Sequence, residues 1–307
     1  MSLFDRAIVR TLPAVPRPVV RRLSARYIAG PELRDAVRVV RELNAEGKMA
    51  TLDVLGEEVT GRNEALALVD EYLAVFEAIR REGLDSNVSV KPTGLGLAID
   101  ADFFHDNLAQ LVRCAEERSS FVRIDMEDSS TTSETLAVYR RLRAEGHESV
   151  GVVLQSRLRR TLGDVAELAD LRPNVRVCKG IYLEPVDIAY QGAEAIREHF
   201  VDVLEALLEA GAYVGVATHD QWVIDRAKEL VEAHGLSRDE YEFQMLLGVG
   251  ERLGEALVAD GHRLRIYVPY GRQWYEYSLR RLQENPSMAG AIARQTVGRL
   301  VPGLNGS

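Results

Sequence analysis

Short β-rich runs recur about every 30 residues along this chain, and longer segments with helical periodicity separate them. The runs are KMATLDVL (48–55), NVSVKP (87–92), FVRIDME (121–127), VGVVLQ (150–155), NVRVCKG (174–180), YVGVAT (213–218), YEFQML (241–246) and LRIYVP (264–269). Between them, stretches such as NEALALVDEYLAVFEAIRREG and AEAIREHFVDVLEALLEAG carry apolar residues at i, i+3, i+4 and i+7 and stop at a glycine, as helices do. Strands that alternate with helices are parallel and joined by crossovers. Eight of them over about 240 residues favour a closed barrel over an open doubly wound sheet. The open sheet's dinucleotide fingerprint is also missing, because TGLGLA (93–98) lacks the third glycine. The prediction is an α/β fold, a distorted (β/α)8 TIM-type barrel over residues 48–307. An α-helical extension over 1–47 precedes it, with PELRDAVRVVRELNAEG as its clearest helix.

Composition narrows the function classes. Apolar residues at 46% and charged residues at 28% of 307 describe a soluble globular protein. A net charge of −9 argues against a general nucleic-acid binder. Cys114 and Cys178 lack metal-ligand spacing, so we expect a reduced, cytoplasmic protein without a metal. Residues 1–30 hold six arginines against one acid, Asp5, and their longest uncharged stretch, TLPAVP, is too short for a secretory signal. Such a segment is either a solvated surface helix or a contact with an anionic membrane surface.

The catalytic face of a barrel lies at the C-terminal strand ends. A barrel interior is expected to be apolar, so polar groups at those ends mark a site. They are Glu57 and Glu58 after the first run, Lys91 after the second, and Asp125, Glu127 and Asp128 after the third. Gln155 and Arg157 follow the fourth; Arg176, Lys179, Tyr182 and Glu184 belong to the fifth. Thr218, His219 and Asp220 end the sixth, Gln244 the seventh, and Tyr267 and Tyr270 the eighth. Arg123 and Asp125 share one strand face, which admits either a structural ion pair or a site role. A lone histidine such as His219 is more often a cap or a satisfied core residue. In CKGIY, Gly180 stands where close backbone approach to a ligand would need it. Further on, YGRQWYEYSLRRLQENP (270–286) places Tyr277, Arg280, Arg281 and Glu284 on one helical face where a core helix would show Leu or Val.

Three chemistries fit these residues: a Schiff-base aldolase or lyase on Lys91, a metal hydrolase, or an enzyme holding a dianionic cofactor beside a small carboxylate substrate. Six histidines with one at a strand end weaken the second. Cations on the second and fifth strands and the terminal helix suit the third.

The motifs VKPTGLG, RIDMEDS, VLQSRLRRT, RVCKGIYLEP, ATHD, FQMLLGV, RIYVPYG and YSLRRLQEN, in that order from about Ala50 to Asn285, resemble those of proline dehydrogenase. That family is a flavin-dependent barrel enzyme, and the resemblance is to its monofunctional form. It implies oxidation of L-proline to Δ1-pyrroline-5-carboxylate, with hydride passing to flavin N5 and electrons to a membrane quinone. By resemblance, Arg280 and Arg281 clasp the proline carboxylate with Lys91 as third cation, while Tyr267, Tyr277 and Leu246 pack on the ring. The resemblance makes Asp125 and Arg176 catalytic, Arg176 near flavin N5 and Asp125 orienting Lys91 or Arg176. FAD would contact Met126 and Gln155 through its ring, Lys179, Gly180 and Tyr182 through its ribityl and phosphate portion, and Thr218 and His219 at its pyrophosphate or adenine end. Glu284 holds the helix or the flavin side, and Glu57 gates the site by pairing with the first helix arginine. The resemblance also implies a peripheral place on the inner membrane face and transient contact with a separate pyrroline-5-carboxylate dehydrogenase. Pro92, Thr93 and Gly94 depart from the family's usual Leu-Ser-Ala run, which implies a looser wall, and Asp220 replaces a frequent asparagine. The competing readings are another flavin barrel, such as a methylenetetrahydrofolate reductase, the Lys91 aldolase, and a non-catalytic binding barrel.

Overall fold

The computed structural model describes residues 26–56, 59–275 and Ser278. Eight strands close in sequential order: β1 (Met49–Val54), β2 (Ser86–Val90), β3 (Val122–Ile124), β4 (Val150–Gln155), β5 (Asn174–Cys178), β6 (Tyr213–Ala217), β7 (Tyr241–Leu246) and β8 (Leu264–Tyr270). Each predicted run overlaps its strand, and only β2, which starts one residue before its run, and β8, which ends one residue after, extend beyond it. All pairs are parallel, and β1 seals the barrel by pairing with both β2 and β8, so that Leu52 stands opposite Val88 on one side and Val268 on the other.

The connecting helices start and stop where local chemistry dictates. After β1 comes α2 (Arg62–Glu82), preceded in the chain by α1 (Leu33–Ala45). Glu64 reaches back to the backbone N–H of Thr60 and Gly61, satisfying donors that the first turn leaves unpaired. The helix ends at Gly83 in a left-handed conformation (φ 62°), which glycine adopts without steric cost. Three later helices carry aspartate N-caps: Asp100 on α3 (Ala101–Glu117), Asp128 on α4 (Ser129–Ala144) and Asp220 on α7 (Gln221–Ala233). The ring also contains α5 (Thr161–Leu168), α6 (Ala193–Glu209) and α8 (Glu251–Ala259).

One layer of core lies between strands and helices. Ala50, Leu52 and Val54 of β1 and Val88 and Val90 of β2 point outward against the helices, and all are buried. Each of the leucine and valine side chains contributes about 1.5–3 kcal/mol on leaving water. Ala36, Val37 and Val40 of α1 belong to the same core, and α1 packs against β8 and β1. The helix before the first strand therefore covers the seam where the barrel closes.

Inside the barrel the expectation of apolar filling fails. The inward positions of β1, β2, β3, β5, β7 and β8 carry polar or charged side chains down to the N-terminal end. Thr51 donates to Asn87 at 2.5 Å, and Arg265 pairs with Glu242 at 2.7 Å. Arg123 donates to the Asn174 carbonyl at 2.7 Å and to its side-chain oxygen. Polar filling is stable here because these groups meet partners of complementary sign or hydrogen-bonding type. Of the two readings of Arg123 and Asp125, the ion pair between them is not formed. Arg123 is spent on the β4 and β5 carbonyls of Val152 and Asn174, and Asp125 has other cations. Burial, with Arg176 nearby, lowers the Arg123 guanidinium to about 9.

Candidate active site

Four side chains from different strands converge at the C-terminal end of the barrel. Asp125, just past β3, accepts from Arg176 of β5 at 2.7 Å and from the Tyr267 hydroxyl of β8 at 2.8 Å. Lys91, just past β2, lies 3.2 Å from the Tyr267 oxygen and 3.5 Å from Asp125. The Arg176 guanidinium also stands over the Tyr267 ring, 5.3 Å from its centroid. These residues meet because inward positions recur every second residue on each strand, and parallel registration stacks them at one level.

Charge sets the protonation of the acids. Burial pushes the Asp125 carboxyl up, but the charges of Lys91 and Arg176 outweigh it and hold Asp125 below the ordinary value. Asp53, an inward residue of β1 with no exposed surface, is pushed up by burial despite Lys91 at 3.2 Å. Glu127 is likewise raised by burial.

Around this cluster opens a cavity of about 250 Å3. Lys91, Asp125, Met126, Gln155 and Arg176 line it, and so do Lys179, Gly180, Tyr182, His219, Leu246 and Tyr267. These eleven residues, together with Glu127 and Gln244, were all singled out in the sequence and share one space. Thr218 does not line it. Its hydroxyl accepts from the backbone N–H of Asp220 at 3.1 Å, and this turn starts α7. Tyr277, Arg280, Arg281 and Glu284 of the terminal segment, and Glu57, lie outside the described residues, as does the arginine-rich stretch 1–25.

Local contacts explain several motifs differently from the sequence reading. Gly180 has φ +86°, and a Cβ there would stand 2.5 Å from the Gln155 side-chain oxygen. Its backbone conformation and this close approach require glycine before any ligand is considered. Gln155 donates to the Met126 and Glu127 carbonyls at 3.3 and 2.7 Å, so its amide oxygen faces Gly180 and the cavity. Glu127 and Glu184 are anchors of loops: Glu127 accepts from Thr93 N–H and hydroxyl at 2.7 and 2.6 Å, and Glu184 from Ser129 N–H and hydroxyl at 2.7 and 2.8 Å. The Pro92–Gly94 turn is accordingly tied down, not loose; a Cβ on Gly94 would stand 2.5 Å from the Gly56 carbonyl. Asp220 caps α7 and pairs with Arg197 at 2.9 Å, so its extra charge is compensated. His219 accepts from the Leu246 N–H at 2.9 Å, which ties the β6 end to the β7 end.

One residue was missed and one was underused. Asp53 sits inside TLDV, an alternating strand in which Thr51 and Asp53 are the polar positions, and that alternation was the available signal. Gln244 was noticed only as a strand end. Its amide bridges Arg176 Nε and Glu242, which fixes the guanidinium from behind.

No cluster of three metal-ligating side chains occurs among the described residues, and none of their helices is long and apolar enough to cross a membrane. Both cysteines are free thiols.

Comparison with known proteins gives the fold and the family. The solved structure of proline utilization A from Bdellovibrio bacteriovorus, inactivated by N-propargylglycine, superposes with a TM-score of 0.83 at 22% identity over 99% of this chain. The chain spans 40% of that larger protein, and a likeness at this identity shows the fold. Proline dehydrogenase of Deinococcus radiodurans is 39% identical over 276 residues, 89% of each chain. Proline dehydrogenase 1 of Bacillus subtilis strain 168 is 35% identical over 286 residues, 93% of this chain and 94% of that one. The family model described as proline dehydrogenase matches residues 36–294, and with this coverage the chain belongs to the proline dehydrogenase family.

Proposed function

We propose that this protein oxidises L-proline to Δ1-pyrroline-5-carboxylate with FAD as its cofactor and a membrane quinone as final electron acceptor. The observation that carries the reading is the convergence of Lys91, Asp125, Arg176 and Tyr267 on one cavity at the barrel's catalytic end. Family membership supports the substrate.

The cavity suits a flavin. Arg176 and the Gln155 amide oxygen present a donor and an acceptor on its wall, Met126 adds an apolar surface, and Lys179 beside the left-handed Gly180 offers a cation and close backbone approach for a phosphate. A bound flavin supplies a two-electron acceptor, through N5, for the hydride on the ring carbon beside the proline nitrogen. The protein's own task is to bind, orient and keep charges in place. Lys91, with Arg280 and Arg281 of the YSLRRLQEN motif, receives the substrate carboxylate. Tyr267, Leu246 and Tyr277 pack on the pyrrolidine ring. Arg176 supplies positive potential where negative charge accumulates. Asp125, with an oxygen on Arg176 and the other on Tyr267, orients both. Proline must lose its ammonium proton before the hydride leaves, to solvent before binding or within the site, since only the nitrogen lone pair can drive hydride departure.

A Schiff-base role for Lys91 fits less well. Carboxylates at 3.2 and 3.5 Å favour its ammonium form, which cannot attack a carbonyl. We assign residues 48–307 to the catalytic barrel with its clamping helix, 1–47 to the helical extension, and Glu57 to the gate. The protein is placed in the cytoplasm, peripheral to the inner membrane face, and handing product to a separate pyrroline-5-carboxylate dehydrogenase. Purified protein should be yellow, and its flavin should bleach on anaerobic addition of L-proline. A colourless protein from which borohydride traps a substrate on Lys91 would establish the aldolase instead.

A further inference from the structure

Asp53 lies on the inner face of β1 with no exposed surface, opposite Ser89 of β2. Lys91 is two residues beyond Ser89 on that inner face, and its Nζ lies 3.2 and 3.3 Å from the two Asp53 oxygens. The distances separate two carboxylates that both face this ammonium. Asp125 uses one oxygen on Arg176 at 2.7 Å and the other on Tyr267 at 2.8 Å, and stands 3.5 Å from Lys91. Asp53 is nearer, with both oxygens within hydrogen-bond reach. Behind it, the Tyr72 hydroxyl of α2 donates its single proton to the Ser89 carbonyl at 2.7 Å and accepts from Val54 N–H at 3.2 Å. The same hydroxyl lies 3.5 Å from Asp53 Oδ1, so its one proton favours the shorter bond to Ser89 and its contact with Asp53 is the weaker one. The groups that set the charge of Lys91 are Asp53 from β1, Tyr72 from α2, Asp125 and Glu127 from beyond β3, Arg176 from β5 and Tyr267 from β8.

We infer that Asp53 is the positioning residue of Lys91: it fixes the ammonium at the cavity floor, protonated and aimed at the substrate carboxylate. An ammonium on a flexible four-carbon stem has no preferred direction of its own. Asp53 supplies that direction, and it balances one of the two cations so that Asp125 remains committed to Arg176. The inference rests on the proline reading above.

The test compares wild type, D53N, K91M and D53N/K91M in proline-dependent reduction of a dye acceptor, with melting curves for each. D53N is expected to raise KM for proline at least about tenfold and to change kcat less than KM. The alkaline loss of kcat/KM should move to lower pH by about one unit, because one of the anions that keep Lys91 protonated is gone. In the K91M background the same substitution should change KM less than about twofold. D53S, which removes the charge and leaves room for a water, carries the same expectations should D53N not fold. An unmoved alkaline limb, or an effect of equal size with and without Lys91, overturns the Asp53 inference alone. Wild type that neither turns over proline nor bleaches with it overturns the inference together with the substrate reading.

Discussion

Arg176 on β5 meets Asp125 beyond β3 at 2.7 Å, across the inside of the barrel and past the intervening β4. The same guanidinium donates through Nε to Gln244 of β7. One planar fork thus spans three strands, which a single ammonium cannot do. Arg176→Lys should lower kcat/KM for proline at least about tenfold, the equivalent of one lost charge-assisted bond, while the melting temperature moves by only a few degrees. Steady-state kinetics with a dye acceptor and a thermal melt check it; unchanged kinetics would remove Arg176 from the reaction.

The clasp proposed for Arg281 makes a separate claim about the substrate. Arg281→Met should weaken L-proline binding at least about tenfold, since a charge-assisted bond is worth about 1.5–3 kcal/mol. A proline titration of the oxidised protein under conditions without turnover would read it, and equal affinity in wild type and variant would rule out the clasp.

Deep in the barrel, Glu242 accepts from Arg265 at 2.7 and 3.1 Å and from Tyr213 at 3.0 Å. Burial pushes the Glu242 carboxyl up, but Arg265 outweighs it and holds the group below its ordinary value. Arg265→Met leaves a buried carboxylate without its ion-pair partner and should cost about 3–5 kcal/mol in denaturant unfolding. Adding Glu242→Gln should restore a large part of that loss. If the double variant is less stable than Arg265→Met, the cost lies in packing and not in the stranded charge.

His262 gives a pH signature. Its ring contacts the Tyr241 hydroxyl at 2.8 Å and Arg238 at 2.9 Å, and arginine can only donate, so the imidazole is neutral in the fold. Burial, then Arg238, lowers it from 6.5 to about 4. Between these values the unfolded chain binds more protons than the native one, so stability falls as pH drops from 6.5 toward 4. His262→Gln should flatten this part of the curve of unfolding free energy against pH, while an unchanged slope would assign the acid loss to other groups.

Several of these residues were legible in the chain before any contact was known. The eight runs announced the barrel because period-two strands and period-3.6 helices leave different apolar spacings. Most of the residues at the run ends proved to share one cavity, since parallel strands must bring their C-terminal ends to one face. The choice between an Arg123–Asp125 ion pair and a site role could not be made along the chain: the two share a strand face, but each takes cross-strand partners instead. Thr218 stands apart from the cavity lining, and its hydroxyl accepts from the turn that starts α7. Asp53 was overlooked because an acid in the middle of a strand looks like a solvent-facing position until closure buries that face.

Periodicity and strand-end chemistry are properties of neighbours along the chain, so the sequence by itself determined the barrel, its strand count, its catalytic end and the family. Which charges pair depends on distances between strands remote in sequence, which is set only when β1 closes on β8. Only the tertiary structure decided that Asp125 belongs to Arg176, that Lys91 lies between two carboxylates, and that Gln244 bridges Glu242 to Arg176. It also decided that much of the barrel interior is polar, because closure brings groups such as Thr51, Arg123 and Glu242 partners that no linear pattern records.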